Sequence, residues 1–358
     1  METMDSNQDQ LANTHNKESR RKIAIAFRWF FHFGLFVITF FTTTVAGVLW
    51  LNLDPFELSN FHLGIPYSAA ILFILASHEF GHYFASRYHK VDATLPYFIP
   101  FPPIPVLLQL FLNFGTFGAV IRTKTIVPSK KVMFDIGVAG PIAGFIASLL
   151  VLIYGFLHLP SPEFILAIHP DYNFAINASA GAHGMPLAFG NTLLYSGLKD
   201  ILTNPSLQFV PPMSEMYHYP FLCAGWFGLF VTALNLIPMG QFDGGHVIYT
   251  MFGKLHRKIA WISFYALLAF SAPALSDTIL RTLFEFVYKR DIGQIVPFAQ
   301  YSWSAWFFWA MIALYIVKLY HPPVSDETPL DSRRMAIGWF CIVIFILSFS
   351  LNPLTIGF

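Results

Sequence analysis

His78, Glu79 and His82 stand in the run His-Glu-Phe-Gly-His. On a helix, residues four apart project from one face, so the two imidazoles can hold one metal ion between them. Glu79 lies beside them, placed to take a proton from a water on that metal. The chemistry such a set performs is hydrolysis. Its setting is a stretch otherwise apolar enough to cross a bilayer. Ionisable side chains in hydrocarbon are costly and are read first as functional.

A hydrolytic zinc site typically has three protein ligands and a fourth, open position. The third ligand is therefore sought in a later segment of similar depth, where carboxylates are scarce. Asp243 stands out, in Asn235-Leu-Ile-Pro-Met-Gly-Gln-Phe-Asp243-Gly-Gly-His. Pro238, Gly240, Gly244 and Gly245 unwind the helix there and open room beside a metal. Asp135 is the competitor, but it follows Lys130 and Lys131 and is expected at the interface. Asn235 has two readings: a donor to the oxyanion or substrate backbone, or a cap for the broken helix around Pro238. His246 is read as a packing or interfacial histidine, with a supporting role near the metal as the alternative. The histidines at 15, 158, 169, 183, 218, 256 and 321 form no second cluster along the chain, which argues against a membrane di-iron desaturase with its several His-rich boxes.

The elements that must position these residues are transmembrane helices. The chain is 55% hydrophobic and 11% charged, against roughly a quarter charged in ordinary soluble domains. The rule of ~20 apolar residues per crossing picks out about seven spans: 27–51, 66–88, 132–159, 220–237 with a weaker continuation to 252, 259–275, 303–320 and 335–351. The fold class is thus an all-α polytopic membrane protein. Its organisation is a disordered polar tail (1–22), a first helix and outer loop (23–65), a core bearing the motifs (66–252) and C-terminal helices (253–358).

Lys and Arg cluster before the first span, after the second and after the fourth, and are nearly missing from 160–219. By the positive-inside rule the N-terminus and the active-site end face the cytoplasm, and 160–219 lies outside. Compactness and tail type suggest a bacterial plasma membrane, with a plastid membrane as the alternative. No basic patch with interleaved aromatics points to nucleic acid. Cys223 and Cys341, the only cysteines, give neither a disulfide framework nor a thiolate metal site.

Two stretches are irregular or crowded. Residues 94–125 are apolar, but Pro96, Pro100, Pro102, Pro103 and Pro105 break helix, and Gly115 and Gly118 suggest a turn between short extended pieces. This reads as a re-entrant, β-hairpin-like segment against the site, since irregular backbone at membrane depth must be buried or line a wet cavity. The third span carries Gly137, Gly140, Gly144 and Ala147, small residues that let helices approach closely.

HEFGH in one apolar segment, followed by Asn-x-x-Pro-x-x-x-x-Asp-Gly in a later one, resembles the site-2 proteases, a family of intramembrane zinc metalloproteases. The resemblance covers about residues 66–252 and implies a three-helix catalytic core. It also implies one zinc ion per chain on His78, His82 and Asp243, with Glu79 as catalytic acid/base. The expected reaction is cleavage of a peptide bond in or near the transmembrane helix of a membrane-protein substrate, in regulated proteolysis. Segment 160–219 does not look like an inserted PDZ domain, so the branch lacking that insertion is the better match. Hairpin 94–125 is similar in position to a substrate-edge element of the family.

Three rivals remain. A catalytically silent scaffold has little support while His78, Glu79, His82 and Asp243 are all present. A metal or solute transporter would be expected to show repeats and paired broken helices, whereas one break, at 238–245, is found. A zinc peptidase with a distal Glu ligand lacks a Glu in a credible later span, Glu285 lying in a charged segment.

Overall fold

The computed structural model describes residues 2–102, 114–175, 178–179, 187–290 and 292–356, with side chains from residue 26 onward except at 178–179 and 356. Helix α1 spans Glu2–Trp50. The polar segment 1–22, expected as a disordered tail, continues the first span as helix from Glu2. Its physical reason is composition: Gln, Leu, Ala, Lys, Glu and Arg are good helix formers, and no Pro or Gly interrupts before Gly34.

Helix α2 (Ile65–Tyr88) carries the HEFGH motif, with Pro66 in its first turn where a missing N–H costs nothing. The chain then forms strands β1 (Tyr97–Pro100) and β2 (Thr116–Val120), antiparallel, with Tyr97 opposite Val120 and a bulge after Ile99. The proline-rich 94–125 thus supplies two paired strands, and residues 103–113 between them lie outside the described residues. Helix α3 (Lys130–Leu157) starts at Ser129, whose hydroxyl accepts from the Val132 N–H. Next come α4 (Glu163–Ile168), the short strands β3 (Tyr172–Asn173) and β4 (Ala178–Ser179), β5 (Leu187–Phe189) and α5 (Leu193–Leu202).

Helix α6 (Pro220–Asn235) ends at the proline-glycine break, and α7 (Asp243–Phe252) restarts after it. Helices α8 (His256–Tyr288), α9 (Ala305–Ile312) and α10 (Ser332–Ser348) follow. Strand β6 (Leu354–Ile356) returns to pair with β5.

Four stretches are long and apolar enough to cross a membrane: Ala26–Trp50, Leu58–Tyr88, Lys130–Leu157 and Asp243–Tyr288. Two shorter apolar helices, Pro220–Asn235 and Ala305–Val317, accompany them. Hydropathy alone counted about seven spans because it does not register breaks. The fourth span is cut at 236–242, and the sixth passes into a wider π-type turn at Ala313–Val317. Helix α8 conversely runs on past 275, where charge argued for a stop. Asp277 is buried and accepts the backbone N–H groups of Ile295 and Val296, each at 2.7 Å, so its charge is satisfied inside the fold.

The core is α2, α3 and α6, which pack mainly on one another. Phe134, Leu152, Trp226, Phe227, Ile74 and Tyr67 are all buried between them or against their neighbours. Large apolar side chains such as Phe30, Phe73, Leu150 and Ile262 point outward. Lipid satisfies such a surface where water would not.

Candidate metal centre

Three side chains from two helices converge. His78 Nε2 and His82 Nε2 lie 3.1 Å apart, and Asp243 Oδ2 is 3.3 Å from the first and 3.2 Å from the second. A tetrahedral zinc with bonds of about 2.0–2.1 Å places its ligand atoms about 3.3–3.4 Å apart. The donor set and its spacing therefore fit that metal. His78, Glu79 and His82 are buried and Asp243 is half-buried.

Each donor is held by something local. His82 Nδ1 lies 2.7 Å from the Ile136 carbonyl; a carbonyl only accepts, so Nδ1 carries the hydrogen and Nε2 presents its lone pair to the triangle. Helix α3 supplies that carbonyl and also the space. A Cβ at Gly140 would collide with the His82 ring, and one at Gly144 would press on His78. Close packing was the reading of this glycine stripe, and the groups it admits are the imidazoles themselves. Pro141, inside α3, removes an amide donor in the same turn.

The break before Asp243 is stitched by backbone. Gly240 adopts φ +54, and its N–H donates to the Leu319 carbonyl at 3.1 Å. Asp243 then opens α7, where a carboxylate is favoured by the helix dipole. Asn235, at the end of α6, has its amide nitrogen 3.2 Å from His78 Nε2. That amide therefore borders the triangle.

Asp135 is placed elsewhere. Arg334 Nε and Nη2 donate to it at 2.8 and 2.7 Å, and His89 Nε2 is 2.8 Å away. It neutralises a guanidinium and faces away from the triangle. His246 lines the cavity, its Nδ1 buried without a hydrogen-bond partner and its ring 4.8 Å from that of His321.

A cavity of about 460 Å³ opens onto the three donors and Glu79. Its wall includes Ala119, Val120, Ile121 and Arg122 from β2 and its continuation, with Gln241 and Phe242 from the break. None of these wall residues carries a sequence signal of its own. The Thr94 N–H donates to the Arg122 carbonyl at 2.9 Å, so Arg122 turns its backbone toward the β1 side. The two-residue period of a strand then turns the backbone groups of Ile121 and Ala119 the other way. The Ile121 N–H indeed faces the Glu79 carboxyl. The free edge of the hairpin thus borders the metal triangle.

The reading that the remaining histidines form no second cluster is corrected in space. His169 and His218 meet beside Glu215, outside the cavity. Chain distance hid them: 49 residues separate the two histidines.

Comparison with known proteins agrees with this geometry. The chain is 32% identical over 193 residues to the probable zinc metalloprotease EGY1, chloroplastic, of Oryza sativa subsp. japonica, covering 53% of this chain and 28% of that protein. The Arabidopsis thaliana protein of the same name is 31% identical over 204 residues, 57% of this chain and 32% of its own. The probable zinc metalloprotease EGY2, chloroplastic, of Oryza sativa subsp. indica is 28% identical over 279 residues, 76% of this chain and 45% of its own. The chain therefore spans less than half the length of these relatives. No solved structure matches it significantly. The model of peptidase family M50 matches residues 66–272, more than half the chain and all of the elements that build the metal triangle. The chain belongs to peptidase family M50, the site-2 protease family.

Proposed function

We propose that this protein is a zinc-dependent intramembrane endopeptidase that hydrolyses a peptide bond in or near the transmembrane helix of a membrane-protein substrate, in regulated proteolysis. The observation that carries the proposal is the convergence of His78, His82 and Asp243 beside Glu79, in a cavity between apolar helices. When bound there, zinc acidifies a water and polarises the scissile carbonyl.

The chain's own residues do the rest. Glu79 accepts the proton of the attacking water and delivers it to the departing amine. The Asn235 amide, within reach of the triangle, donates to the oxyanion or to the substrate backbone. A substrate helix must unwind before attack, because its carbonyls are bonded internally. The free edge at Ala119 offers a replacement hydrogen bond by strand addition. The apolar outer surface supports a reaction within the bilayer.

Basic clusters after 88 and after 252 support a cytoplasmic N-terminus and site end. The membrane assigned from sequence is the bacterial plasma membrane; the names of the relatives favour its alternative, a plastid membrane. A silent scaffold or a transporter is disfavoured by the full donor set with its adjacent carboxyl.

Glu79→Gln decides the matter. The amide keeps size and hydrogen bonding but cannot take the proton, so zinc content should stay at one per catalytic site while cleavage of a transmembrane substrate disappears. Unchanged turnover would sink the role of Glu79.

A further inference from the structure

Among the described residues, His169, Glu215 and His218 are the other group whose ligand atoms come together. The two Nε2 atoms are 3.0 Å apart, and Glu215 Oε2 lies 3.4 Å from His169 Nε2 and 3.5 Å from His218 Nε2. This triangle has nearly the dimensions of the one in the catalytic cavity. It also repeats the device that orients His82. His218 Nδ1 is 2.5 Å from the Trp50 carbonyl, so that nitrogen carries the hydrogen and Nε2 presents a lone pair.

The surroundings are unsatisfied in a consistent way. Glu215 and His218 are buried. Glu215 Oε2 has no hydrogen-bond partner, nor do the hydroxyls of Tyr172 and Tyr219, which interact electrostatically with that carboxylate. A hydrogen bond from His169 Nε2–H to His218 would satisfy two of the three donors and leave the carboxylate oxygen orphaned. One divalent cation satisfies all three, with a tyrosine hydroxyl or water available as fourth ligand.

We propose that His169, Glu215 and His218 form a second zinc site, structural in role, on the side of the protein opposite the catalytic cavity. His169 ends α4, and Glu215–His218 is the turn that opens α6. Trp50, which orients His218, ends α1. A cation there cross-links the two ends of the 160–219 segment at the head of α6, against the end of α1. His218 and Asn235 lie at opposite ends of α6, roughly 25 Å apart at 1.5 Å per residue, so this site takes no part in the cavity's chemistry.

The test is zinc stoichiometry of the purified full chain in detergent, stripped with chelator, reloaded with zinc alone and desalted. The wild type should retain two zinc ions per chain, and His78→Ala, His169→Ala and Glu215→Gln one each. His78→Ala with His169→Ala should retain none. The His78→Ala chain keeps the proposal falsifiable should the outer variants misfold: its Tm should rise on adding zinc, and its single ion should remain. A wild type holding one ion that His78→Ala abolishes overturns the second site. A single ion that survives His78→Ala but not Glu215→Gln supports this site and counts instead against the catalytic reading.

Discussion

Adding one methyl group at Gly140 should damage the proposed metal centre more than the same change elsewhere on that helix. A Cβ at that position comes within 2.0–2.5 Å of three His82 ring atoms, so the imidazole must leave its place and its 2.7 Å bond to Ile136. Loss of such an orienting contact typically weakens metal binding about 10- to 100-fold, or roughly 1.4–2.7 kcal/mol. Gly144→Ala is the graded companion. Its Cβ would sit 3.0 Å from His78 Nδ1 and 3.1 Å from His78 Cβ, where ordinary contact begins at 3.4 Å. The ring then shifts by about 0.4 Å, twice the tolerance of ~0.2 Å in a metal bond, and zinc binding should weaken by less than tenfold. Gly155→Ala is the control, pressing on Leu222 and Phe221 at 2.9 and 3.1 Å, far from the triangle. It should lower Tm and leave zinc affinity intact. The assay is competition for zinc against a chelator of known affinity, with Tm alongside. The reasoning fails if Gly140→Ala stays within twofold of the wild type. It fails equally if Gly155→Ala loses as much zinc, since separation of the helices would then be the cause.

Asp135→Asn should keep full zinc content but lower stability by about 1–2 kcal/mol, the worth of a half-buried pair with Arg334; loss of zinc would return Asp135 to the ligand set. Ala119→Pro removes a free-edge donor, whereas Phe117 falls at the bulge where the register shifts. Ala119→Pro should cut cleavage of a helical substrate about fivefold, one ~1 kcal/mol hydrogen bond, without loss of zinc, and undiminished turnover refutes the edge role. His321 is packed against His246, Tyr249 and the Pro322 carbonyl, and burial lowers it to about 4. The native state then binds fewer protons than the unfolded chain between about pH 4 and 6.5, so stability falls on acidification through that window. His321→Phe should flatten that part of the Tm–pH curve, and an unchanged slope would assign the acid sensitivity to another group.

Much of the candidate metal centre was legible because its logic is local. Two histidines at i and i+4 share a helix face whatever lies around them, and Asp243 is conspicuous where carboxylates are scarce. The choice against Asp135 was legible only as a hint from neighbouring lysines. Its cause, Arg334, lies 199 residues away and belongs to another helix. The glycine stripe announced close approach but not what approached, since small size is compatible with backbone or ring. Helix ends were blurred where charge was used as a stop signal, because Asp277 finds its partners in backbone amides. The His169–Glu215–His218 group had no periodic signal at all. Its members stand in a turn and a short-helix terminus, and only the return of the chain from α4 to the head of α6 brings them together.

The triangle also has an order in time. His82 and Asp243 meet although 161 residues of chain separate them. The helix that seats the imidazoles, α3, is also made after α2. A ribosome adding about 5–20 residues per second leaves the two histidines without their third partner for roughly ten to thirty seconds. During that interval the catalytic triangle can hold metal only through a two-point grip. On the proposed reading, the site would stay incomplete among half-inserted helices until α7 has emerged.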